Sequence, residues 1–171
     1  MKKTKEIISD KVSAVNQILP HTNKWAWDLF IDGAANNWMP TEISMAKDIE
    51  QWRGDSLTED EKLVIKRSLG FFAGSESLVA NNLLLSVFKF VTDPECRQYI
   101  LRQAYEESLH NLTVVYCCDS LGLDIEEVYE AYNSIPSIKA KDTFLMNICT
   151  DINRVDFNIN TLEGKREFLR N

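Results

Sequence analysis

The chain has 171 residues, of which 44% are hydrophobic and 26% charged, and its formal net charge at pH 7 is −7. This length suits one globular domain, and the interspersed acidic and basic residues exclude a broad basic surface for nucleic acid. We find no signal-peptide pattern and no run of the roughly 20 apolar residues that a membrane span needs, so we expect a cytoplasmic protein. The four cysteines form no Cys-x-x-Cys pair and are expected to stay reduced.

In chain order, the first predicted element is an N-terminal segment, residues 1–22, that we expect to be peripheral. Helical spacing dominates the rest of the sequence, and no stretch shows the sustained alternation of a half-buried strand. A helix is predicted from Asn23 to Ala35, before "NNWMP" turns the chain, and Pro40 opens the short stretch "TEISMAKDIEQW". The sequence therefore predicts an all-α fold.

Two long helices follow. The first begins with a capping box, in which Thr58 is the N-cap and Glu61 stands three residues later, and it is predicted to continue to Val91, where "TDPE" breaks it. The second begins near Pro94, a residue suited to the first helical position, and ends before Gly122. The short link between them predicts an antiparallel hairpin.

The stretch after the second long helix predicts one short helix, a break at Pro136 and another helix that ends near Ile152. The sequence contains no internal repeat. We therefore expect a single domain over residues 1–171, built around one long helical hairpin.

Polar residues interrupt the apolar stripes of both long helices when the sequence is stepped three and four residues at a time. The first stripe reads Ile65, Leu69, Phe72, Glu76, Val79, Leu83 and Val87. The second reads Ile100, Gln103, Glu107, His110, Val114, Cys117 and Leu121. An isolated carboxylate is costly to bury, and a divalent metal would satisfy all three polar groups at once.

A Glu-x-x-His pair on a helix is most often two surface residues one turn apart, and its position on an apolar stripe is what favours a metal site here. Glu106 is the alternative ligand to Glu107, but it can pair with Arg102 at the helical i, i+4 spacing. A Glu from one helix and a Glu-x-x-His from another are half of a ferritin-like dimetal-carboxylate site. Mixed oxygen and nitrogen ligands suit iron or manganese better than a cysteine-rich structural zinc site.

Three stretches, "RSLGFFAGSESLVANNL", "QAYEESLHNLTVVY" and "NNWMPTEISMAKDIEQW", together resemble the N-terminal half of the small, radical-generating subunit of class I ribonucleotide reductase. The resemblance extends over nearly the whole chain. It implies half of a ferritin-like helical bundle, and metal ligands at Glu76, Glu107 and His110. It also places Trp38 on the electron path between the metals and the surface, although Trp38 alone would be interpreted as a packed aromatic residue.

What the resemblance implies for function is a part of ribonucleoside-diphosphate reductase. The small subunit assembles a dinuclear iron or manganese/iron centre with dioxygen and passes an oxidising equivalent to the large catalytic subunit, which makes deoxyribonucleotides. Nucleic acid and membranes are not expected partners. Two alternatives from other classes stay open: a stand-alone ferritin-like metal-binding oxidase, and a non-catalytic helical interaction module.

One departure from the family concerns the radical. Four residues after the motif histidine most members carry the radical tyrosine, and here that position is Val114, which cannot be oxidised in that way. The sequence is therefore similar to the subclass in which a manganese/iron centre stores the oxidising equivalent. Tyr116 resembles the auxiliary tyrosine for electron delivery in that subclass, although Tyr105 and Tyr116 also suit ordinary semi-buried positions.

The second departure is that only half of the implied ligands are present, and no histidine follows His110. The chain is a truncation, one product of a split gene completed by a separate C-terminal chain, or a subunit completed by a second copy around a two-fold axis. Both long helices are apolar over more than one face. Under each explanation we expect a chain that associates.

Overall fold

The computed structural model describes residues 5–171, so the first four residues of the predicted peripheral segment lie outside it. Within the described range all regular secondary structure is helical. The exception to helix is an isolated antiparallel bridge between Ile8 and Val91. The predicted all-α class is confirmed.

The helices of the described residues differ widely in length. In chain order they are α1 (Lys24–Ala35), a 3-10 turn (Pro40–Glu42), α2 (Ala46–Arg53), α3 (Glu59–Asn82), a π-helical turn (Leu83–Val87), α4 (Phe88–Phe90), α5 (Pro94–Leu121), α6 (Ile125–Tyr129), α7 (Ala131–Ser134), α8 (Pro136–Asp151) and α9 (Leu162–Arg170). The two longest, α3 and α5, are the helices that the sequence predicts as a hairpin.

The predicted start of the first long helix and both predicted ends of the second are confirmed in atomic detail. The Thr58 amide donates to the Glu61 carboxylate at 2.8 Å, and the Glu61 amide donates to the Thr58 hydroxyl at 3.3 Å, which is the reciprocal pattern of a capping box. Pro94 is the first residue of α5. Gly122 has a φ of 66°, the left-handed conformation that ends a helix and favours glycine.

Helix continuity and the C-terminal region differ from prediction. The helix before Val91 changes pitch in the π-helical turn, where the side-chain amide of Asn153 donates to the hydroxyl of buried Ser86 at 2.5 Å. The single short helix predicted after α5 is two helices, α6 and α7, and α9 was not predicted. The sequence does contain a start signal for α9, since Thr161 is a residue type favoured at the N-cap. In the structure its hydroxyl accepts from the Gly164 amide at 3.0 Å.

The described residues divide into two compact units. Unit 1 comprises the residues up to Asn37, Val79–Glu106 and Leu145–Asn171, and unit 2 comprises Trp38–Leu78 and Glu107–Phe144. The core of unit 1 contains Ala26, Phe90, Val91, Cys96, Ile100, Ile152, Ile159 and Phe168. The single domain expected from the sequence stays a prediction, as does the peripheral character of residues 1–22.

A fully buried carboxylate anchors the start of α1 in unit 1. Glu95 has 0% exposure, and its oxygens lie 2.7 Å from the His21 ring nitrogen, 3.0 Å from the Thr22 amide and 2.8 Å from the Asn23 amide. Burial by itself raises the pKa of the Glu95 carboxyl, but these hydrogen bonds outweigh it and the net pKa is lowered. The neighbouring Asp93 carboxylate accepts from the Asn23 side chain at 2.9 Å.

Unit 2 contains the hairpin contact between α3 and α5. Its buried cluster comprises Ala73, Val114, Cys118 and Val128. A methyl group built at Gly70 of α3 would lie 2.5 Å from the Ala131 methyl, so only glycine allows α6 and α7 to approach α3 this closely. The small residues of α3 therefore face the interior of the unit.

This arrangement corrects the predicted stripes. Phe72 and Val79 are 46% and 37% exposed, whereas Ala73 is 3% exposed, so the inward face of α3 passes through Ala73. On α5 Cys118 is fully buried, whereas Cys117 of the predicted stripe is only partly buried. Both helices are apolar around much of their circumference, so several stripes with a spacing of three and four residues fit each sequence. The spacing alone does not decide which stripe faces inward.

One helical stretch, Glu59–Phe90, is long and apolar enough to cross a membrane by length and composition alone, with a mean hydropathy of 1.2 over its most apolar window. The prediction that no stretch approaches a span does not hold on this measure. Core helices of soluble proteins pass the same test, but only 17% of this window is buried. The stretch therefore exposes apolar surface of the kind that proteins cover on association.

Candidate metal centre

Three polar side chains converge inside unit 2, where α3 and α5 run antiparallel. Glu76 comes from α3, and Glu107 and His110 come from adjacent turns of α5. Each offers a ligand atom, and these atoms all lie within 4.8 Å of one another. The Nδ1 atom of His110 lies 3.0 Å from Glu76 Oε2 and 3.2 Å from Glu107 Oε2. The three side chains converge as the sequence predicts, and their role as metal ligands stays a prediction.

The group is closed on the carboxylate side and open on the imidazole side. The side chains of Glu76 and Glu107 are 17% and 11% exposed, and that of His110 is 43% exposed. The two carboxylates are therefore held by the protein interior. The open edge of the imidazole leaves access for groups from outside these two helices.

The pKa values of Glu107 and His110 are shifted by burial and by the neighbouring side chains of the group. Burial raises the pKa of Glu107, and the hydrogen bond and negative charge of Glu76 raise it further, against the opposing effect of His110. Burial lowers the pKa of His110, but the hydrogen bonds and charges of Glu76 and Glu107 outweigh it, so the net pKa is raised. Glu107 and His110 therefore each hold a proton more tightly than they would in isolation. A metal cation takes the place of such a proton.

The donor set fits half of a dimetal-carboxylate centre. It contains two carboxylates and one imidazole, and no cysteine belongs to it. Oxygen and nitrogen donors of this kind suit iron and manganese. A Glu on one helix and a Glu-x-x-His on the next form one of the two halves of a ferritin-like site.

Two further polar residues that the sequence analysis missed lie beside the ligands. The Ser77 hydroxyl donates to the Asn111 side-chain oxygen at 3.4 Å, and the Asn111 side-chain amide donates to the Glu107 carbonyl at 3.3 Å. Their signal in the sequence is their position, since each directly follows a ligand residue, Glu76 or His110. They connect α3 to α5 next to the ligand group.

Glu106, the alternative ligand, lies outside the group. It forms an ion pair with Arg102, four residues earlier on α5, as the i, i+4 spacing predicts. The spacing argument that favours Glu107 over Glu106 is therefore consistent with the geometry.

The other predicted site residues are Trp38, which lies just before the 3-10 turn, and Val114 and Tyr116 of α5. The ring centroid of Trp38 lies 6.1 Å from that of His110. Val114 is 4% exposed and belongs to the apolar cluster behind the ligands. Tyr116 is partly buried, and its hydroxyl donates to the Ile43 carbonyl at 2.8 Å. Their roles in electron transfer stay predictions.

Comparison with known proteins adds an independent observation. The family model described as ribonucleotide reductase, small chain, matches residues 15–169. The chain belongs to this family. The small-chain relatives include the ribonucleoside-diphosphate reductase subunit beta of Chlamydia pneumoniae, which is 52% identical over 157 residues. That match covers 92% of this small chain and 45% of the chlamydial protein.

More distant relatives share the same pattern of coverage. The ribonucleoside-diphosphate reductase small chain of Plasmodium falciparum is 28% identical over 155 residues, or 89% of the present sequence and 44% of the Plasmodium protein. The protein described here thus spans about half the length, or less, of the curated relatives that it matches.

Solved structures confirm the ferritin-like fold of the family. The R2 subunit of ribonucleotide reductase from Clostridium botulinum superposes with a TM-score of 0.82 at 21% identity, over 99% of this chain and 51% of that one. A Bacillus halodurans protein described as a putative class I ribonucleotide reductase gives 0.73 at 23% identity, over 85% and 50%. The predicted half of a ferritin-like bundle is confirmed.

Proposed function

We propose that this chain is the N-terminal half of a ribonucleoside-diphosphate reductase small subunit and supplies half of the protein ligands of its metal centre. The observation that carries the proposal is the convergence of Glu76, Glu107 and His110 within 4.8 Å. Membership of the small-chain family supports it. The metals would be two iron ions, or one manganese and one iron.

Such a centre, when bound, supplies the redox chemistry with dioxygen, and the protein supplies geometry and charge. The carboxylates of Glu76 and Glu107 would balance positive charge, and their interior position fixes their orientation. His110 would contribute the nitrogen ligand from the open side of the group. Trp38, whose ring lies 6.1 Å from the His110 ring, is assigned to the electron path toward a large catalytic subunit.

We assign the chain to the manganese/iron subclass because of Val114. This side chain is 4% exposed and packs with Ala73 and Cys118, so the usual radical position holds an aliphatic group in an apolar cluster. A phenol is the side chain that stores the radical in most family members, and valine has no oxidisable group. The oxidising equivalent would then be stored at the metals.

The remaining ligands would come from a partner, either a separate C-terminal chain or a second copy. The apolar stretch Glu59–Phe90, of which little is buried, supports association with such a partner, because the partner would cover its exposed side chains. A second copy would repeat Glu76, Glu107 and His110 around a two-fold axis, which matches the symmetry of ferritin-like sites. Four carboxylates would then balance the charge of two divalent ions. We propose the cytoplasm as the location of the assembly.

A dimer with two copies of Glu76, Glu107 and His110 would also suit a second candidate function, that of a ferritin-like oxidase made from two copies of this chain. Trp38→Phe separates the two functions. A reductase part loses deoxyribonucleotide formation in the complete assembly and keeps its metal uptake, because Trp38 is not a ligand. Full reductase activity in Trp38→Phe would contradict the proposed path, and oxidation of iron with dioxygen by the chain alone would support the oxidase. Activity measured with the large subunit, alongside metal analysis, distinguishes these results.

A further inference from the structure

The segment from Trp38 to Ile43 approaches α5 at both of its ends. At one end the Trp38 ring lies 6.1 Å from the ring of His110, at an interplanar angle of 32°. At the other end the Ile43 carbonyl accepts a hydrogen bond from the Tyr116 hydroxyl at 2.8 Å. All four residues belong to unit 2.

The backbone between these two ends is short and internally bonded. It contains the 3-10 turn at Pro40–Glu42, and the buried Pro40 fixes one backbone angle. The Glu42 carboxylate accepts from the Met39 amide at 3.1 Å, and the Ile43 amide donates to the Pro40 carbonyl at 3.1 Å. A displacement of Ile43 is therefore transmitted to Trp38 rather than absorbed by a flexible loop.

The Ile43 side chain contributes little to this attachment. It is 66% exposed, so the contact of Ile43 with α5 is made through its backbone carbonyl. The neighbouring Thr41 and Glu42 are exposed as well. The hydroxyl of Tyr116 is thus the group that secures this end of the segment.

We propose that Tyr116 is a positioning residue for Trp38: its hydroxyl holds the Trp38–Ile43 segment against α5 and thereby keeps the indole ring next to His110. This role requires no oxidation of Tyr116. A phenol releases its proton when it is oxidised, and the group that faces the Tyr116 hydroxyl is an amide carbonyl, which is too weak a base to take that proton. The contact is therefore suited to holding a backbone segment.

The meaning of this contact for electron transfer rests on the proposed function, because Trp38 matters there only as part of the electron path. The positioning itself does not depend on metal or activity. Its test can therefore be made on the chain alone, and its failure is distinguishable from failure of the proposed reductase function.

The experiment uses the full 171-residue chain labelled with 5-fluorotryptophan, in which 19F NMR reports four indole signals. Trp38→Phe assigns the signal of Trp38. Tyr116→Phe removes one hydroxyl and keeps the ring, so we expect the Trp38 signal to move toward the position of the free amino acid. The signals of Trp25 and Trp27, which lie in unit 1, are expected to stay and so report an intact fold.

Two further variants sharpen the result. Tyr132→Phe is the matched control, because Tyr132 is a 42% exposed tyrosine of the same unit for which the described residues show no hydroxyl hydrogen bond. It is expected to leave the Trp38 signal in place. Glu42→Ala weakens the turn without touching a tyrosine and is expected to move the Trp38 signal as Tyr116→Phe does. An unmoved Trp38 signal in Tyr116→Phe, or an equal movement of all four signals, would overturn the proposal.

Discussion

At the scale of single residues, the environment of a carboxylate decides its protonation more than its burial does. Glu95 and Asp142 are both almost inaccessible, at 0% and 3% exposure. Glu95 faces donors from His21 to Asn23, and its pKa is lowered in spite of burial. Asp142 has no hydrogen-bond partner among the described residues, and burial raises its pKa. Only a carboxylate with such donors stays charged at low cost.

Glu95→Gln is expected to destabilise the chain at pH 7. Hydrogen bonds to a charged group contribute about 1.5–3 kcal/mol, and an amide in place of the carboxylate presents a donor to the donors of Thr22 and Asn23. We expect a loss of about 2 kcal/mol in the free energy of unfolding, measured by urea denaturation. The exposed Glu50→Gln serves as control and should change stability little.

The same variant has a defined pH dependence. Because the pKa of folded Glu95 lies below its ordinary value of 4.5, its stabilisation is fully present above about that pH. It is lost as the pH falls through the lower pKa of the folded state. The stability difference between the parent chain and Glu95→Gln should therefore shrink below pH 4.5, and a difference that grew with acidification would contradict this assignment.

At the scale of helices, close packing depends on small residues that periodicity does not reveal. Capping signals at Thr58, Pro94 and Gly122 are local, so the sequence predicts the ends of the long helices. The choice of inward face depends on which helices pack together. Gly70 and Ala73 face the interior of unit 2, whereas the larger Phe72 does not. Hydrophobicity alone therefore selects the wrong stripe on α3.

Gly70→Ala tests this packing. In most helix interiors this change stabilises by up to about 1 kcal/mol. Here the new methyl would lie 2.5 Å from the Ala131 methyl and 3.0 Å from the Val128 carbonyl oxygen. Overpacking of this kind costs about 1–3 kcal/mol, so we expect a lower thermal midpoint. The exposed Ser68→Ala, on the same helix, should leave the midpoint nearly unchanged, and equal midpoints for Gly70→Ala and the parent would contradict the contact.

At the scale of the whole molecule, the sequence predicts the convergence of Glu76, Glu107 and His110 but not the polar residues that surround it. Glu76, Glu107 and His110 stand out because each interrupts an apolar stripe. Ser77 and Asn111 do not, since polar residues next to ligands carry no periodic signal. The π-helical turn and α9 were missed because their stability comes from contacts distant in sequence, such as that of Ser86 with Asn153. Local sequence patterns do not predict such contacts.

Many apolar side chains of the described residues are not covered by contacts within the chain. Large apolar side chains on α3 and α5 are exposed by a third or more; among them are Leu63, Val64, Phe72, Leu101 and Leu112. Exposed apolar side chains in such number on two helices are typical of surfaces that associate. The small-chain relatives are about twice as long, which agrees with a bundle that is completed by further helices.

Metal binding by Glu76, Glu107 and His110 is tested most directly by native mass spectrometry of the full chain after anaerobic loading with Fe(II) and Mn(II). We expect bound metal in the parent chain and in Glu106→Gln, whose side chain lies outside the group. Glu107→Gln and His110→Ala should lose it. Equal metal binding by Glu106→Gln and Glu107→Gln, or undiminished metal binding by His110→Ala, would contradict metal binding at this group.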